Sequence, residues 1–336
     1  MLHDYAEVVE RSLGGHELDR DLLLGLLTGR GEEDGLLPLL DAAFQVRKIH
    51  HGRRVQIQAL SNAKSGLCPE DCHYCSQSCV SRAEVERYPL KAVETLLEEA
   101  RRANDLGAVR FCMGLSGRVL SDPEVDTLCA FLVQARAEFR MDICCSLGFL
   151  TPVQATRLKA AGLGRVNHNL NTSRRYYPFI CSTHTYEQRV DNIKICREAG
   201  LDVCCGGIIG QGESPDDVLD MLFALRELAP ASIPLNFMIP VPGTPFGGLK
   251  TGLTPEYCLR VLAIARLLHP RPDIRVAGGR EYHLRSLQPL ALYAANSIFV
   301  NGYLTADGQC NDAALAMIED LGFTVELEGA GLKRAG

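Results

Sequence analysis

The sequence predicts an α/β fold, a (β/α)8 barrel of the TIM type with an N-terminal helical extension. Two observations carry this prediction. After about residue 50, eight strand-like apolar runs alternate with eight amphipathic helical runs, and no low-complexity linker interrupts the series. The 336 residues suit one such barrel with some length left over. Because alternation alone does not prove that a sheet closes, an open doubly wound sheet is the structural alternative.

The predicted elements follow one another regularly. Residues 1–50 are expected to form the helical segment, residues 51–325 the barrel, and residues 326–336 a C-terminal tail. The strands are predicted at Val55–Asn62, Val109–Leu115, Met141–Gly148, Arg165–Asn171, Leu201–Ile209, Ile233–Ile239, Asp273–Gly279 and Ser297–Tyr303. The helices are predicted at Leu90–Leu106, Pro123–Glu138, Pro152–Ala161, Tyr186–Ala199, Pro215–Leu228, Pro255–Leu268, Leu284–Ala295 and Asp312–Leu321. Three of them open on a hydroxyl residue followed by proline, a favoured helix start, at Thr151, Ser214 and Thr254.

Composition narrows the functional class. The net charge of −6 gives no basic surface for nucleic acid, and no apolar run reaches the length of a membrane span. The N-terminus lacks the basic start and apolar core of a secretory signal, so we expect a cytoplasmic protein. In a reducing compartment, the 14 cysteines indicate metal binding or catalysis before disulfides.

A Cys-x3-Cys-x2-Cys run gives the sharpest signal, formed by Cys68, Cys72 and Cys75. Three thiolates this close would hold three irons of a cubane cluster and leave the fourth open, whereas a ferredoxin cluster would want a fourth cysteine. The spacing matches that of radical S-adenosylmethionine (SAM) enzymes, in which the open iron binds SAM. Chance clustering and structural zinc are the alternatives. Zinc is disfavoured because no fourth Cys or His completes a paired spacing, and His73 lies awkwardly within the run.

A second group of ligand-type residues lies on the predicted strands. Cys112, Cys144 and Cys204 each occupy a mid-strand position, and Arg275 occupies a fourth strand. If all four face inward, they would converge on a second metal centre, although buried cysteine often serves only as a small hydrophobe. Strand alternation places Cys144 inward and its neighbour Cys145 outward.

Asparagines mark the same interior. Asn167, Asn169 and Asn171 occupy alternate positions, so one strand would point all three the same way. Since each buried amide needs several partners, we expect them to face a polar interior or a ligand, with an internal polar layer as the alternative. Asn236 is a further polar residue on a strand. The glycine-rich run 206–213 lacks the dinucleotide fingerprint, so NAD binding is not predicted.

Taken together, these stretches resemble the biotin synthase family, from about residue 40 to 325. The similarity is carried by residues 62–77, Phe111-Cys112, 167–173, 183–189, 206–213, 274–281 and 295–299. The cysteine triplet alone marks the radical SAM superfamily. Its combination with the asparagine strand and with Arg275-Val-Ala-Gly-Gly-Arg-Glu281 is specific to this family.

The resemblance implies a homodimeric (β/α)8 enzyme that inserts sulfur into dethiobiotin, the last step of biotin biosynthesis. SAM would be cleaved with an electron from a donor such as flavodoxin or ferredoxin, and the sulfur would come from an auxiliary cluster. The implied ligands are Cys68, Cys72 and Cys75 for a SAM-binding 4Fe–4S cluster, and Cys112, Cys144, Cys204 and Arg275 for an auxiliary 2Fe–2S cluster. The implied SAM contacts are Tyr74, Asn169, Asn171, Arg189 and Ile208. The implied substrate contacts are Asn167, Asn169, Asn236 and Thr305.

Some positions depart from the family pattern. Asn171 stands where some relatives carry Asp, and Cys79, Cys145 and Cys205 are additional thiols that leave a larger auxiliary cluster open. Because Arg275 is retained, 2Fe–2S is favoured. The remaining cysteines are interpreted as incidental, namely Cys129, Cys181, Cys196, Cys258 and Cys310. The rival functions are another radical SAM reaction, such as hydrogenase-cofactor maturation or an amino-acid mutase reaction, and a non-catalytic iron–sulfur or redox-sensing protein.

Overall fold

Parallel strands close into a barrel in the computed structural model, which describes residues 4–30, 35–300, 302, 304 and 311–326. The strands are β1 Arg54–Lys64, β2 Arg110–Leu115, β3 Asp142–Ser146, β4 Arg165–Asn167, β5 Asp202–Cys204, β6 Gly207–Ile209, β7 Ser232–Phe237, β8 Asp273–Val276, β9 Ser297–Val300 and β10 Thr324–Val325. Strands β5 and β6 share one barrel position, and β9 pairs with β1 to close the ring of eight. The predicted barrel is therefore confirmed, and the open-sheet alternative is wrong.

The helices surround this barrel. They are α1 Tyr5–Leu13, α2 Arg20–Thr28, α3 Leu36–His51, α4 Val93–Asp105, α5 Asp122–Glu138, α6 Pro152–Ala161, α7 Tyr186–Glu198, α8 Pro215–Leu228, α9 Pro255–Leu268, α10 Arg280–Leu284 and α11 Asn311–Asp320. Two 3₁₀ segments lie at Tyr177–Phe179 and Arg285–Tyr293. Over the residues described, no helix combines the length and apolarity needed to cross a membrane.

The predicted helix starts are confirmed at α6, α8 and α9. At α6, the Thr151 hydroxyl accepts a hydrogen bond from the Gln154 amide nitrogen at 3.2 Å, and the Gln154 side chain accepts one from the Thr151 nitrogen at 3.1 Å. This reciprocal pair satisfies two backbone donors that the first turn leaves free. Proline follows each cap, where its missing N–H costs nothing.

The N-terminal extension packs on the barrel through Arg47 of α3. Its buried guanidinium donates to the Ala295 carbonyl at 3.1 Å and to the Arg54 carbonyl at 2.7 Å, and it lies 4.8 Å from the Phe323 ring centre. Burial, together with the nearby charges of Arg53 and Arg54, lowers the pKa of Arg47 to about 9. The side chain remains a cation at neutral pH, so its carbonyl contacts stay charge-assisted.

Three predicted elements differ from the structure by more than a shift of their ends, which elsewhere amounts to at most three residues. The strand predicted at Arg165–Asn171 ends at Asn167, because the chain turns and Asn171 adopts a left-handed φ of 73°. The strand predicted at Leu201–Ile209 is interrupted after Cys204. The helix predicted at Leu284–Ala295 is a 3₁₀ segment, since Arg285 has a φ of 51° and Pro289 lacks an amide donor.

The barrel has two separate buried clusters. Cys145 and Cys205 belong to the large apolar core between strands and helices. Cys112, Cys144 and Cys204 form a small interior cluster, together with Leu60, Ala277 and Phe299. Alternation of side chains across the strands produces this division and confirms the predicted orientation of Cys144 and Cys145.

Candidate active site

A cavity of about 450 Å³ occupies the barrel interior. It is lined largely by residues at the carboxyl ends of the strands, where barrel enzymes place their active sites. All but one of the sequence-predicted site residues that the structure describes line it: Cys68, Cys72, Tyr74, Cys75, Cys112, Cys144, Asn167, Asn169, Asn171, Arg189, Ile208, Asn236 and Arg275. Cys204 lies behind them, fully buried against Cys144. Thr305 lies outside the described residues.

The loop between β1 and α4 carries the cysteine triplet. Backbone hydrogen bonds run from the Cys75 nitrogen to the Cys72 carbonyl at 3.1 Å and from the Cys79 nitrogen to the Glu70 carbonyl at 2.9 Å. These bonds wind the loop into short turns, so three thiols from one short stretch reach the cavity together. Cys79 is exposed and does not line the cavity. Three converging thiols fit a cluster bound through three irons.

A network of polar side chains holds this loop in place. The Glu70 carboxylate accepts a hydrogen bond from Arg118 at 2.9 Å and also contacts the Thr183 hydroxyl and the His184 ring. The Asp71 carboxylate accepts from the Ser182 nitrogen at 2.9 Å. The network ties the triplet loop to the segment before α7, although the two are more than a hundred residues apart in sequence.

That segment corrects one prediction. Cys181, interpreted from the sequence as incidental, is buried with its Sγ 3.8 Å from Cys72 Sγ. The position of Cys181 beside the triplet could not be predicted from local spacing. Asp71 and His73 bring it there through contacts between two loops. Cys310, also interpreted as incidental, lies outside the described residues.

The second thiol group lies deeper in the barrel. Cys112 and Cys144 are direct neighbours in the β2–β3 register, and Cys204 reaches Cys144 from β5. Hydrogen-bonding contact with the Cys144 sulfur, assisted by the Arg275 charge, holds the pKa of Cys112 and of Cys204 below the ordinary value. The same contacts, with burial, raise the pKa of Cys144. Three sulfurs brought together inside the barrel form a ligand set for a metal centre.

Arg275 completes this group from β8. Its guanidinium is buried, donating to the Ser297 hydroxyl at 3.4 Å and to the Ser232 hydroxyl at 3.2 Å, and it lies 4.7 Å from the Phe299 ring centre. Both hydroxyl partners are neutral, so the positive charge of Arg275 acts on the neighbouring sulfurs and lowers the pKa of Cys112 and Cys204. Sequence analysis missed Ser232 and Ser297, since single serines in strands carry no distinctive pattern.

The predicted substrate-binding asparagines are held by backbone groups. The Asn169 side-chain oxygen accepts from the Gly206 nitrogen at 3.0 Å, and the Asn167 amide donates to that same oxygen at 3.2 Å. The Asn236 amide bridges the Gly207 carbonyl at 3.1 Å and the Gly278 nitrogen at 2.9 Å. These bonds fix the amides in place at the break between β5 and β6, where they line the cavity.

The predicted SAM-binding residues lie towards the triplet. The Asn171 amide donates to the Tyr74 hydroxyl at 2.8 Å. Arg189 donates to the Tyr177 hydroxyl at 2.6 Å and to the Asn169 carbonyl at 3.0 Å. Burial raises the pKa of Tyr74, which keeps its hydroxyl neutral. A guanidinium held at a fixed point beside the triplet suits recognition of a carboxylate.

Two family models match this chain, each over a different part of the sequence. The model of the radical SAM superfamily matches residues 64–225. The model of the biotin and thiamin synthesis associated domain matches residues 234–324. The first covers the triplet, Cys112, Cys144 and Cys204, and the second covers Arg275.

Solved structures share the fold. Methylornithine synthase matches with a TM-score of 0.80 at 19% identity, covering 95% of this chain and 97% of that one. An FeFe-hydrogenase maturase from Carboxydothermus hydrogenoformans matches with a TM-score of 0.80 at 17% identity, covering 96% of this chain and 79% of that one. At these identities the likeness shows the barrel alone.

Curated relatives are far closer in sequence. The biotin synthase of Geobacillus kaustophilus is 48% identical over 323 residues, 96% of each chain. The biotin synthase of Bacillus subtilis is 46% identical over 325 residues, 97% of this chain and 96% of that one. Both alignments span nearly the whole of each protein, so the chain belongs to the biotin synthase family of radical SAM enzymes.

Proposed function

We propose that this chain converts dethiobiotin to biotin by inserting sulfur, with SAM as co-substrate. One observation carries the proposal beyond family membership: two thiol groups lie at different depths of one cavity, and the deeper group includes Arg275. Sulfur insertion needs a sulfur source inside the cavity, and the deeper group offers ligands for one. Family membership supports the shallower group as the SAM-binding site.

We propose that Cys68, Cys72 and Cys75 hold a 4Fe–4S cluster, and that Cys112, Cys144, Cys204 and Arg275 hold an auxiliary 2Fe–2S cluster. When bound, the first supplies the electron that cleaves SAM and the second supplies the sulfur atom. Cys145 and Cys205 face the helices, which supports the smaller auxiliary cluster over one that recruits them. Cys79 is exposed and is not proposed as a ligand.

The remaining residues would orient the organic ligands. Arg189 would pair with the SAM carboxylate, while Tyr74, Asn169, Asn171 and Ile208 would line the rest of the SAM site. Asn167, Asn169 and Asn236 would present amides to the ureido group of dethiobiotin, a flat group with both donors and acceptors. A barrel interior excludes bulk water, which keeps a reactive carbon radical from side reactions. Thr305 stays a prediction for the substrate carboxylate.

The proposal also covers cellular location, oligomeric state, electron donor and domain division. We propose a cytoplasmic homodimer that takes electrons from a flavodoxin or ferredoxin. Residues 1–50 would form an N-terminal helical segment, residues 51–325 the catalytic barrel and residues 326–336 a tail. Analytical ultracentrifugation of the full chain tests the dimer directly.

The activity test uses the full chain reconstituted anaerobically with iron and sulfide, then incubated with SAM, a reductant and dethiobiotin. We expect 5′-deoxyadenosine, methionine and biotin by mass spectrometry. The variant Cys72→Ala should produce none of them, and Cys129→Ser, on the distant helix α5, should match the wild type. Iron and sulfide analysis with Mössbauer spectroscopy first establishes that both clusters are loaded. Loaded protein that yields neither 5′-deoxyadenosine nor biotin would overturn the proposal.

The two rival functions give different results in the same assay. Another radical SAM reaction would give 5′-deoxyadenosine without biotin. A redox sensor would show a cluster that is reduced and reoxidised reversibly without SAM cleavage.

A further inference from the structure

A third set of side chains of the kinds that bind metals lies at the edge of the triplet and shares Cys72 with it. Cys181 Sγ is 3.8 Å from Cys72 Sγ and 3.2 Å from His184 Nδ1. The three ligand atoms all lie within 4.8 Å of one another, and both Cys181 and His184 are buried. Two thiols and one imidazole in a single small volume are a ligand set for one metal ion.

The sulfur–sulfur distance distinguishes between two ways of binding metal. Two thiolates on one tetrahedral zinc-type ion, each with a metal–sulfur bond of about 2.3 Å, stand about 3.8 Å apart. Thiolates that bind different irons of a cubane stand farther apart, because the irons themselves are separated. The observed 3.8 Å between Cys72 and Cys181 therefore fits a mononuclear ion better than a four-cysteine cluster.

The pair is held in place by the surrounding backbone. The Asp71 carboxylate accepts hydrogen bonds from the Ser182 nitrogen at 2.9 Å and the Thr183 nitrogen at 3.1 Å. The His73 nitrogen donates to the Ile180 carbonyl at 2.9 Å. These contacts flank Cys72 on one segment and Cys181 on the other. The site is thus assembled by the fold rather than by a chance rotamer.

A metal ion bound to His184 would change which ring nitrogen carries the proton. Arg189 can only donate, so its contact of 3.1 Å with His184 Nε2 makes Nε2 an acceptor and leaves the ring proton on Nδ1, facing Glu70. A metal at Nδ1 would move the proton to Nε2 and release Arg189 from the ring. Metal binding here would therefore disturb a residue that we assign to the SAM carboxylate.

We propose that Cys72, Cys181 and His184 form a site for one divalent transition-metal ion of the zinc class, and that this ion and the 4Fe–4S cluster exclude each other. Both need the Cys72 thiolate as a terminal ligand, so one centre displaces the other. Two soft sulfurs and an imidazole favour zinc over magnesium or calcium, and a water molecule would take the fourth position. The inference goes beyond the proposed function: it assigns the cluster-free protein a zinc-bound state that cannot assemble the radical-generating cluster.

Cobalt(II) titration of the full-length apo chain under anaerobic conditions tests the site, because tetrahedral cobalt–thiolate centres absorb visibly. We expect tight binding at this site, displaced by zinc and retained when the deeper thiols are replaced in Cys112→Ser/Cys144→Ser. Affinity should fall at least ~100-fold in Cys181→Ala and in His184→Ala, since a lost ligand costs more than a lost outer contact. The double variant Cys68→Ser/Cys75→Ser should keep the tight site, and so should Cys129→Ser. Circular dichroism checks that each variant is folded.

The opposite pattern overturns the proposal. If cobalt binding survives in folded Cys181→Ala and His184→Ala but is lost in Cys68→Ser/Cys75→Ser, the metal binds the triplet alone. This result would leave the proposed biotin-forming activity untouched, so the two failures are distinguishable.

Cluster assembly provides the second readout, independent of turnover. We expect zinc added before iron and sulfide to slow the growth of iron–sulfur absorbance in the wild type several-fold. In Cys181→Ala, zinc should slow this growth much less, because the mononuclear site has lost one thiolate while the triplet and the deeper thiols are the same in both proteins. Equal inhibition in both proteins would contradict mutual exclusion through Cys72 and Cys181.

Discussion

Cys112 and Cys144 lie directly opposite each other on the parallel strands β2 and β3, with their sulfurs in hydrogen-bonding contact. Their register follows from the regular pairing of five consecutive residues on each strand. The residue after Cys144 must then point to the opposite face, into the helix-packed core. Adjacent cysteines of one strand therefore lie in separate environments.

This relationship predicts opposite outcomes for two neighbouring substitutions. Cys144→Ser should abolish the visible absorbance of the auxiliary cluster, because it removes a ligand. Cys145→Ser should leave that absorbance intact and lower stability by about 1–3 kcal/mol, because it buries a hydroxyl among apolar groups. Optical and Mössbauer spectra of the two reconstituted proteins make the comparison. Loss of the cluster in Cys145→Ser would show that both thiols contribute.

Asn171 should tolerate glycine better than alanine. Its φ of 73° lies in the left-handed region, where a β-carbon costs roughly 1–2 kcal/mol. Both substitutions lose the hydrogen bond to Tyr74, so their difference isolates the backbone strain. We expect Asn171→Ala to be about 1 kcal/mol less stable than Asn171→Gly in urea unfolding of the apo protein. The usual order, with glycine the less stable, would contradict the left-handed assignment.

His269 should make the apo protein sensitive to mild acid. Burial lowers its pKa to about 3, and its Nε2 lies 3.1 Å from the Leu222 carbonyl. In the unfolded chain, His269 has an ordinary pKa of about 6.5 and binds a proton that it does not bind in the folded chain. The free energy of unfolding therefore falls as the pH drops from about 6.5 towards 3. His269 alone should make the free energy of unfolding about 2 kcal/mol lower at pH 5 than at pH 7.5.

The comparison for this prediction is His269→Gln, which cannot titrate but can still donate to the Leu222 carbonyl. Urea unfolding at pH 7.5 and pH 5 should show a smaller acid loss in this variant than in the wild type. The exposed His16→Gln should behave like the wild type. Identical acid losses in wild type and His269→Gln would refute the buried neutral histidine.

Regular alternation explains what the sequence could predict. Strand β3 is uniformly paired, so alternation alone oriented Cys144 and Cys145 correctly. The same reasoning failed at Asn171, where the chain has already left β4 and turned into the left-handed region. Asn171 nevertheless lines the cavity, because its backbone bridges to Gly207 rather than because it continues a strand.

Contacts between distant loops explain what the sequence could not predict. Cys181 is 109 positions from Cys72, and no local spacing relates them. The Asp71 carboxylate brings their segments together by accepting backbone hydrogen bonds from Ser182 and Thr183. The charge of Arg275 among three sulfurs is likewise unusual for a ligand site, and only the family resemblance indicated its role.

The most direct measurement of the central claim follows the sulfur atom. The protein is reconstituted with heavy-isotope sulfide, freed of excess sulfide, and given SAM, reductant and dethiobiotin for a single turnover. If the group formed by Cys112, Cys144, Cys204 and Arg275 holds the sulfur donor, the biotin produced carries the heavy isotope in proportion to its enrichment in the auxiliary cluster. Biotin with sulfur of natural isotopic abundance would contradict the account.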